Sequence, residues 1–413
     1  MPFKLAYYML KCICYIYVAF LLFSSCSTQP NRTCFTINSE DRKIVLPVQI
    51  NDSLAVCLTF DSGAELGTLI LDSAFCANYP TILNKDSLNK LTYSGSAWAE
   101  FLVLASHYKI NTDIKISGQY ILYDKFRVFD WKGHFLTSDS EGLFNIPQND
   151  TIHVWELNFE NNYMKIHLGK NFRLPDDCFV TPMVKEKKHS CPFNIKLPIK
   201  VKCNNGDTIT LEHTYTVDTG MAQDIVLTHK DDEYDFFNNR KDAVWTSNLS
   251  HYHRYCTVNA TLFDKMNMDS LRIYTFDYPN NVQCDYLIGL NFLKRFNVFF
   301  DMKRKVVGFQ PIRSFKRIVN PIHQHFHFSY GFTRQGKMVV TGVGDYDSNR
   351  FKIAGLKEGD EIVNINGRPC KDFTWLEHRA LEVEADTIVY DILRDGDPLK
   401  IVVVIDKNEI QGD

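Results

Sequence analysis

The chain has 413 residues and a formal net charge of −3, with 23% charged and 45% hydrophobic residues. This length is enough for two or three globular domains, each with its own core. The small negative charge, without long runs of Lys or Arg, argues against a nucleic-acid-binding surface. Aromatic residues make up 13% of the chain, and many short runs are rich in aromatic and β-branched residues, which favours strands.

The first 25 residues have the pattern of a secretory signal peptide. Two Lys residues precede an uncharged apolar stretch that ends at Phe23, and two Ser residues follow it. The apolar stretch is shorter than the roughly 20 residues that a membrane-spanning helix needs. An uncleaved membrane anchor is the alternative interpretation. Under either interpretation, we expect the rest of the chain to lie outside the cytoplasm and to be tied to a membrane.

The sequence LLFSSC, which ends at Cys26, resembles the lipobox of bacterial lipoproteins. In that family the Cys is lipidated and becomes the N-terminus of the mature protein. The resemblance implies a lipid anchor on Cys26 in a membrane of the bacterial cell envelope. Residues 26–40 would then form a polar tether between this anchor and the first globular unit.

From about residue 41, the chain reads as short strands separated by turns. The first set of strand-like runs is KIVLPVQI, LAVCLTF, GTLIL, EFLVL, YKINTDIKI and QYILYDKFRVF. The second set is FNIKLPIKVKC, DTITLEHTYTV, QDIVL, SLRIYTF and NVFFD. Helices are expected mainly at LNFLKRF and TWLEHRALE. This pattern predicts β-barrels or sandwiches rather than βαβ units, and the charged run KEKKH at residues 185–189 marks the predicted joint between two halves.

Each half contains an apolar strand that runs into an acidic turn. The first is LTFDSGAELGTLIL, which carries Asp61, and the second is LEHTYTVDTGMAQDIVL, which carries Asp218. One such turn alone has an ordinary explanation, because Asp bonds its own backbone and Gly tolerates positive φ. The repetition of the turn in the second half requires a further explanation.

A second motif is also repeated. The first copy is EGLFN followed by HVWELNFENNYMKIHL, and the second is DYLIG followed by FNVFFDMKRKVVGFQ. Both have an acidic residue, two apolar residues and a residue suited to positive φ, which is Asn145 or Gly289. A strand, a charged turn and another strand follow. The two pairs of motifs predict an internal duplication.

In residues and order, these four motifs resemble the aspartic proteases of the pepsin and retropepsin type, over roughly residues 41–313. The resemblance implies a mainly β fold with two pepsin/retropepsin-like β-barrel lobes, residues 41–184 and 185–313, that form one bilobal unit. It implies that Asp61 and Asp218 are the catalytic pair of an aspartic endopeptidase.

The resemblance also assigns supporting residues. The catalytic loops would be held by Ser62, Gly63, Thr219 and Gly220. Tyr93, in LTYSGSA, would be the flap residue, and an ordinary hairpin aromatic is the alternative interpretation.

Two positions depart from the family pattern. Asn145 stands where the family has Gly, and Met221 follows the second Asp-Thr-Gly where a small residue is usual. We therefore expect the second loop to sit differently from the first.

Two carboxylates held close together cannot both ionise at low cost, since like charges repel. They share one proton, so that one activates water as a base while the other protonates the scissile carbonyl as an acid. This chemistry needs no metal and no organic cofactor, and its substrate is a peptide or protein. Two signatures in one chain predict a site that is complete in the monomer. A non-catalytic envelope protein that binds peptides is the alternative interpretation.

The Cys and His residues predict no metal site, because no CxxC or similar cluster occurs. Cys178 with Cys191, or Cys256 with Cys284, could form disulfides, and buried thiols are the competing interpretation. The alternating histidines of HQHFH fall in a predicted linker, residues 314–327, and a solvated linker is favoured over a metal site.

Residues 328–406 resemble a PDZ domain, especially those of bacterial envelope proteases, and residues 407–413 are a tail. The core of the match is the stretch IAGLKEGDEIVNING. Within it, Gly355 and Gly359 would bracket a tight turn, and Asn366-Gly367 is a hairpin signal.

The PDZ resemblance implies a site for an extended peptide that adds a strand to a sheet edge. Its peptide-binding loop would contain Tyr330, Gly331 and Phe332. This domain would recruit or gate the peptide substrate. A packing module that buttresses the second lobe is the alternative.

Overall fold

A computed structural model describes residues 31–37, 43–79, 88–94, 103–108, 111–129, 140–185, 192–202, 208–241, 243–247, 252–276, 286–313, 315, 328–332, 337–343, 349–373 and 375–405. The chain is mainly β, with two duplicated β-barrel-like lobes followed by a separate C-terminal sheet, so the fold class predicted from the sequence is confirmed. Assignment of the C-terminal sheet to the PDZ family stays a prediction.

The first lobe is a twisted half-barrel with strand order β6-β7-β10-β5-β11-β4-β3-β8-β9, and β2 pairs with β3. The elements up to the end of this half are β1 Thr33–Cys34, β2 Thr36–Ile37, β3 Ile44–Ile50, β4 Leu54–Phe60, β5 Leu69–Asp72, α1 Ser73–Asn78, β6 Leu88–Ser94, β7 Val103–Tyr108, β8 Thr112–Ile116, β9 Gln119–Tyr123, β10 Phe126–Phe129, β11 Gly142–Phe144, β12 His153–Asn158 and β13 Tyr163–Leu168.

The second lobe repeats this arrangement and closes into a barrel, because β15 pairs both with β16 and with β19. Its elements are β14 Phe179–Val184, β15 Asn194–Lys202, β16 Thr208–Val217, β17 Ile225–Leu227, α2 Asp232–Asn238, β18 Val244–Ser247, β19 Tyr252–Leu262, β20 Met266–Phe276, β21 Tyr286–Ile288, α3 Leu290–Leu293, β22 Phe296–Asp301 and β23 Val306–Pro311. Alternation of buried and exposed residues along β15 is that of a strand with one face on a core.

The two lobes share a central antiparallel sheet with the order β1-β13-β12-β22-β23-β14. Strands β12 and β22 pair directly, with Trp155 opposite Phe300. Trp155 is fully buried and lies parallel to the ring of Phe60, with centroids 6.4 Å apart. Since Phe60 immediately precedes Asp61, the shared core reaches the first acidic turn.

The C-terminal unit is a sheet of order β24-β25-β26-β28-β29 with β27 paired to β26, and it has its own hydrophobic core. Its elements are β24 Phe328–Phe332, β25 Met338–Val343, α4 Arg350–Ile353, β26 Glu361–Ile365, β27 Arg368–Pro369, a 3₁₀ turn Cys370–Asp372, α5 Trp375–Glu384, β28 Thr387–Arg394 and β29 Asp397–Val404. Asn366 and Gly367 both have positive φ, as expected of the hairpin turn between β26 and β27.

Some details of the first half differ from the sequence-based expectation. The predicted polar tether includes β1 and β2, and Phe35 between them is 4% exposed, because this segment adds strands to β13 and β3. β14 ends at the predicted boundary before residue 185 but pairs with β23 and β15 of the second half. The expected helices at Leu290 and near Thr374 are observed as α3 and α5.

Of the two interpretations left open for the cysteines, thiols rather than the suggested disulfides are found at Cys178 and Cys256. The thiol of Cys256 donates to the carbonyl of Phe237 at 3.2 Å. Cys34 is disulfide-bonded, and its partner lies outside the described residues.

The signal peptide, Cys26, the charged run at 185–189 beyond Lys185, and the histidines of HQHFH lie outside the described residues. Among the residues that are described, no helix is long and apolar enough to cross a membrane.

A buried carboxylate network stabilises the central sheet. Glu156 accepts hydrogen bonds from Tyr163 Oη at 2.9 Å and Asn158 Nδ2 at 3.1 Å, and it contacts His167 Nε2 at 2.6 Å. Burial raises the pKa of Glu156, but these three hydrogen bonds outweigh burial, so its pKa lies below its usual value. Asp150 behaves in the same way beside Trp155.

We predict that acid weakens the fold through these carboxylates. Because the folded-state pKa of Glu156 is lowered, its contribution to the free energy of unfolding is present above its ordinary value of 4.5 and is lost as the pH falls through the lower folded value. In urea unfolding, Glu156→Gln should cost about 1–3 kcal/mol near neutral pH, and less in acid. Glu384→Gln, at an exposed position, is the control. A loss of unfolding free energy in Glu156→Gln that is the same at every pH would contradict this account.

Candidate active site

In each lobe, the acidic turn lies where the chain crosses the end of a strand that is inserted between two consecutive strands. β11 lies between β4 and β5, parallel to β4, so the chain leaving β4 must turn over the end of β11. The N–H of Asp61 donates to the carbonyl of Phe144 at 3.0 Å. In the second lobe β21 lies between β16 and β17, and Asp218 N–H donates to Ile288 at 2.9 Å. The duplication therefore places both carboxylates at equivalent strand ends.

The two turns face each other and are joined by reciprocal hydrogen bonds. The N–H of Ser62 donates to Thr219 Oγ1 at 2.9 Å, and the N–H of Thr219 donates to Ser62 Oγ at 2.9 Å. Each hydroxyl then donates to a backbone carbonyl of the opposite lobe, Ser62 to Val217 at 2.8 Å and Thr219 to Phe60 at 3.1 Å. Both side chains are fully buried, so the four bonds are shielded from water.

The carboxylates of Asp61 and Asp218 extend across this junction. A Cβ built on Gly63 would lie 2.4 Å from the carboxyl group of Asp218, and one built on Gly220 would lie 2.6 Å from that of Asp61. Only Gly permits this close approach. Each carboxylate also accepts an N–H from its own turn, from Gly63 at 2.9 Å and from Gly220 at 2.8 Å. The carboxyl group of each Asp thus packs against the Gly of the opposite loop, which brings the two acids together.

The two acidic residues differ in their exposure to solvent. Asp218 is 6% exposed, whereas Asp61 is half-buried. The sequence-predicted residues Asp61, Ser62, Gly63, Asp218, Thr219 and Gly220 are all brought to one place. Whether these residues carry out catalysis stays a prediction.

Met221 does not displace the second loop. Its N–H donates to the carbonyl of Asp218 at 3.3 Å, the same distance as for Ala64 and Asp61 in the first loop. The side chain of Met221 packs in a small cluster of buried residues, namely Val226, Tyr255, Tyr274, Phe276 and Leu287. The extra bulk of Met221 is thus accommodated in this cluster, and the hydrogen bond that closes the turn is the same in both loops.

Asn145 supports the first loop with its side chain rather than with its backbone conformation. Its Nδ2 donates to the carbonyl of Ala64 at 2.6 Å, and its Oδ1 accepts the N–H of Ile146 at 2.7 Å. At the equivalent place in the second lobe, the N–H of Leu290 donates directly to the carbonyl of Met221 at 2.6 Å. The amide of Asn145 thus bridges two backbone groups that bond directly in the second lobe.

Loop length gives the reason for this difference. The connection from Asp61 to β5 is one residue longer than the connection from Asp218 to β17. At Gly289, by contrast, a Cβ would lie 2.5 Å from the carbonyl oxygen of Gln223, so no side chain fits. Gly289 has φ −104, and Asn145 does not have positive φ either. The expected need for positive φ at these two positions is therefore wrong, and close packing is the reason for Gly289.

The structure adds one contact that sequence reasoning missed. Lys43 Nζ, from just before β3, donates to the carbonyl of Gly220 at 2.5 Å. This contact brings a side chain of the first lobe to the second acidic loop. A single Lys before a strand carries no signal in the sequence that would have identified it.

Two other predicted sites are only partly defined. Tyr93 lies in β6 opposite Leu104 of β7, and its side chain is outside the described part of the structure. Tyr330, Gly331 and Phe332 were expected in a loop, but they belong to strand β24. Tyr330 is 3% exposed, because it points into the C-terminal core.

No family model matches the chain. Rhophilin-1 of Mus musculus is 33% identical over 97 residues, which are 23% of this chain and 14% of that protein. Rhophilin-1 of Homo sapiens is 35% identical over 69 residues, 16% of this chain and 10% of that protein. The chain therefore spans only about one seventh of the length of the mouse relative.

Among solved structures, the aspartic proteinase from Irpex lacteus is similar to this chain with a TM-score of 0.44 and 12% identity. The similarity covers 68% of this chain and 97% of the proteinase. At these values, the likenesses assign no family to the chain.

We predict that Asn145→Ala destabilises the first loop by about 1–3 kcal/mol, because it removes the partner of the half-buried carbonyl of Ala64 and of the buried N–H of Ile146. Chemical unfolding of the full chain measures this change. Asn149→Ala, at an exposed position nearby, is the matched control. Equal stability of Asn145→Ala and the control would contradict the bridging role.

Proposed function

We propose that the protein is an aspartic endopeptidase whose catalytic pair is Asp61 and Asp218. One observation carries the proposal, namely that each carboxyl group lies within 2.6 Å of the position that a Cβ on the opposite loop's Gly would occupy. Such close packing needs two glycines and two acids at equivalent places. A turn with only a structural role would not require the carboxyl group of each lobe to pack against the Gly of the other lobe.

The residues around the pair suit general acid–base catalysis. Two adjacent carboxyl groups hold one proton between them, because a doubly ionised pair is repulsive. The ionised group takes a proton from water, and the water oxygen attacks the carbonyl carbon of the scissile peptide. The protonated group donates its proton to the carbonyl oxygen, which gives a tetrahedral intermediate. Return of a proton to the amide nitrogen then breaks the C–N bond.

The reciprocal bonds of Ser62 and Thr219 would keep this arrangement rigid. Catalytic groups must hold their geometry within a fraction of an ångström, since small misplacements cost large factors in rate. Buried hydroxyls that each donate to a carbonyl of the opposite lobe fix the separation of the loops. The half-buried face of Asp61 leaves an approach for water and substrate.

The C-terminal sheet is proposed to bind extended peptides. β24 lies at one end of the described sheet and pairs with β25. The helix α5 lies beside it, and the rings of Tyr330 and His378 are 5.1 Å apart. A strand edge beside a helix is a common place for a peptide to add a strand. A lipid anchor on Cys26 would tie both activities to the cell envelope.

The first test is hydrolysis of a mixed peptide library by the full chain from acid to neutral pH. We expect Asp61→Asn and Asp218→Asn each to lower the rate at least 1,000-fold, and a peptide with a statine-type hydroxyl group to inhibit the wild type. The exposed Asp113→Asn should retain full activity. Gly63→Ala keeps both acids but forces them apart, so we expect a similar loss of activity.

Cleavage that survives both Asp substitutions would contradict the proposal. Peptide binding without cleavage at any pH would instead make the protein a binding module that uses the same cleft.

The peptide site of the C-terminal sheet is tested separately by hydrogen–deuterium exchange in the Asp218→Asn chain. A bound peptide should slow exchange in residues 328–332, because a new strand protects the edge amides. Protection confined to the two lobes would contradict a peptide site at β24.

A further inference from the structure

A second cluster of ionisable side chains lies in the second lobe, on elements that lead into and out of the Asp218 loop. His213 is on β16, and Asp231 and Glu233 are at the start of α2. One potential ligand atom from each of the three lies within 4.8 Å of the others, and all three side chains are half-buried. His213 Nε2 is hydrogen-bonded to Glu233 Oε2. No sequence motif identifies this cluster, since its members come from two separate segments.

Neighbouring groups hold the cluster in place. The ring of His213 stacks on that of Tyr286, with centroids 3.7 Å apart. The Tyr286 hydroxyl donates to Asp231 Oδ2 at 2.5 Å, and Asp231 Oδ1 accepts the N–H of Tyr234 at 2.8 Å. Such outer contacts orient the side chains that would bind a metal ion.

A buried hydroxyl beside the cluster gives an independent observation. Tyr215 is fully buried, and its Oη makes no hydrogen bond within the described residues. His213 and Tyr215 are two residues apart on one strand, so both face the same side, and their rings are 5.9 Å apart.

An unsatisfied buried hydroxyl costs about 1–3 kcal/mol, so an additional polar group is expected beside it. A water molecule held by an ion at the cluster would donate a hydrogen bond to the Tyr215 hydroxyl. The same ion would neutralise the two carboxylates that lie close together there. Both features point to one occupant at this place.

We propose that His213, Asp231 and Glu233 bind a divalent transition-metal ion of the zinc type, with a water molecule as the fourth ligand. One imidazole nitrogen and two carboxylate oxygens form a ligand set that zinc accepts with tetrahedral geometry. Calcium and magnesium prefer six or more oxygen ligands, so the His disfavours them. The ion would fasten α2 to β16 and, through Tyr286, to β21.

The test uses the full chain carrying both Asp61→Asn and Asp218→Asn, so that the carboxylates of the acidic loops do not compete for the metal ion. After treatment with a chelator, zinc chloride, magnesium chloride or calcium chloride is added in a calorimeter, and thermal unfolding is measured in parallel. We expect one zinc ion per chain, a higher Tm with zinc, and no comparable effect of magnesium or calcium. Cobalt(II) should give the strong visible absorption of a tetrahedral site.

Variants separate the metal site from a simple hydrogen-bond network. His213→Asn and Glu233→Gln should each weaken zinc binding at least 100-fold, and Tyr215→Phe, which keeps the ring, about 10-fold. The matched control is His167→Asn, which breaks another His–carboxylate pair, His167 with Glu156, outside the cluster. It should leave the zinc stoichiometry unchanged.

Two results would overturn the proposal. One is that the parent chain binds zinc no more tightly than His213→Asn does. The other is that zinc raises the Tm of the parent and of Glu233→Gln by the same amount. In either case the cluster is a hydrogen-bond network that anchors α2. Because folding is followed in each variant by circular dichroism, loss of zinc binding in a folded variant supports the site.

Discussion

The exchange of hydrogen bonds between Ser62 and Thr219 is the constraint on which the rest of the bilobal unit depends. Each residue gives its N–H to the other's hydroxyl, and each hydroxyl reaches a carbonyl of the opposite lobe. Both groups are fully buried, so losing either leaves polar atoms without water or partner. The two acidic turns can therefore keep their positions only if both lobes are folded and correctly docked. The shared central sheet and the rings of Phe60, Trp155 and Phe300 provide that docking.

The two lobes support the loop that follows each Asp with different residues. The first lobe has a longer loop and bridges it with the amide of Asn145, while the second has a tighter loop against Gly289. Ala64 lies in the first loop where Met221 fills a cluster in the second. Duplication thus fixes the backbone path to each Asp, whereas the length of the loop after it and the side chains around it have diverged. The proposed metal site belongs to this divergence, since it lies in the second lobe alone among the described residues.

Repetition of the acidic turn was the most informative signal in the sequence. It predicted the duplication, the bilobal β fold and the six loop residues that the structure brings together. Long apolar strands such as β3, β4 and β16 were readable from their patterns, whereas β19, with polar and aromatic residues mixed, was not. Short helices such as α1 were missed because their cue, a capping Asp72, also suits a turn. The bridge of Asn145, the contact of Lys43 and the cluster at His213 depend on residues far apart in sequence, so no local pattern could reveal them.

The central claim is that both acidic loops of one chain form one site. Its most direct test is titration of peptidase activity with a tight-binding peptide that carries a statine-type hydroxyl group, at a known concentration of full chain. The account predicts complete inhibition at one inhibitor per chain, and no recovery of activity when Asp61→Asn and Asp218→Asn chains are mixed. One inhibitor per two chains, or activity restored by mixing, would contradict it, because the site would then be assembled from two molecules.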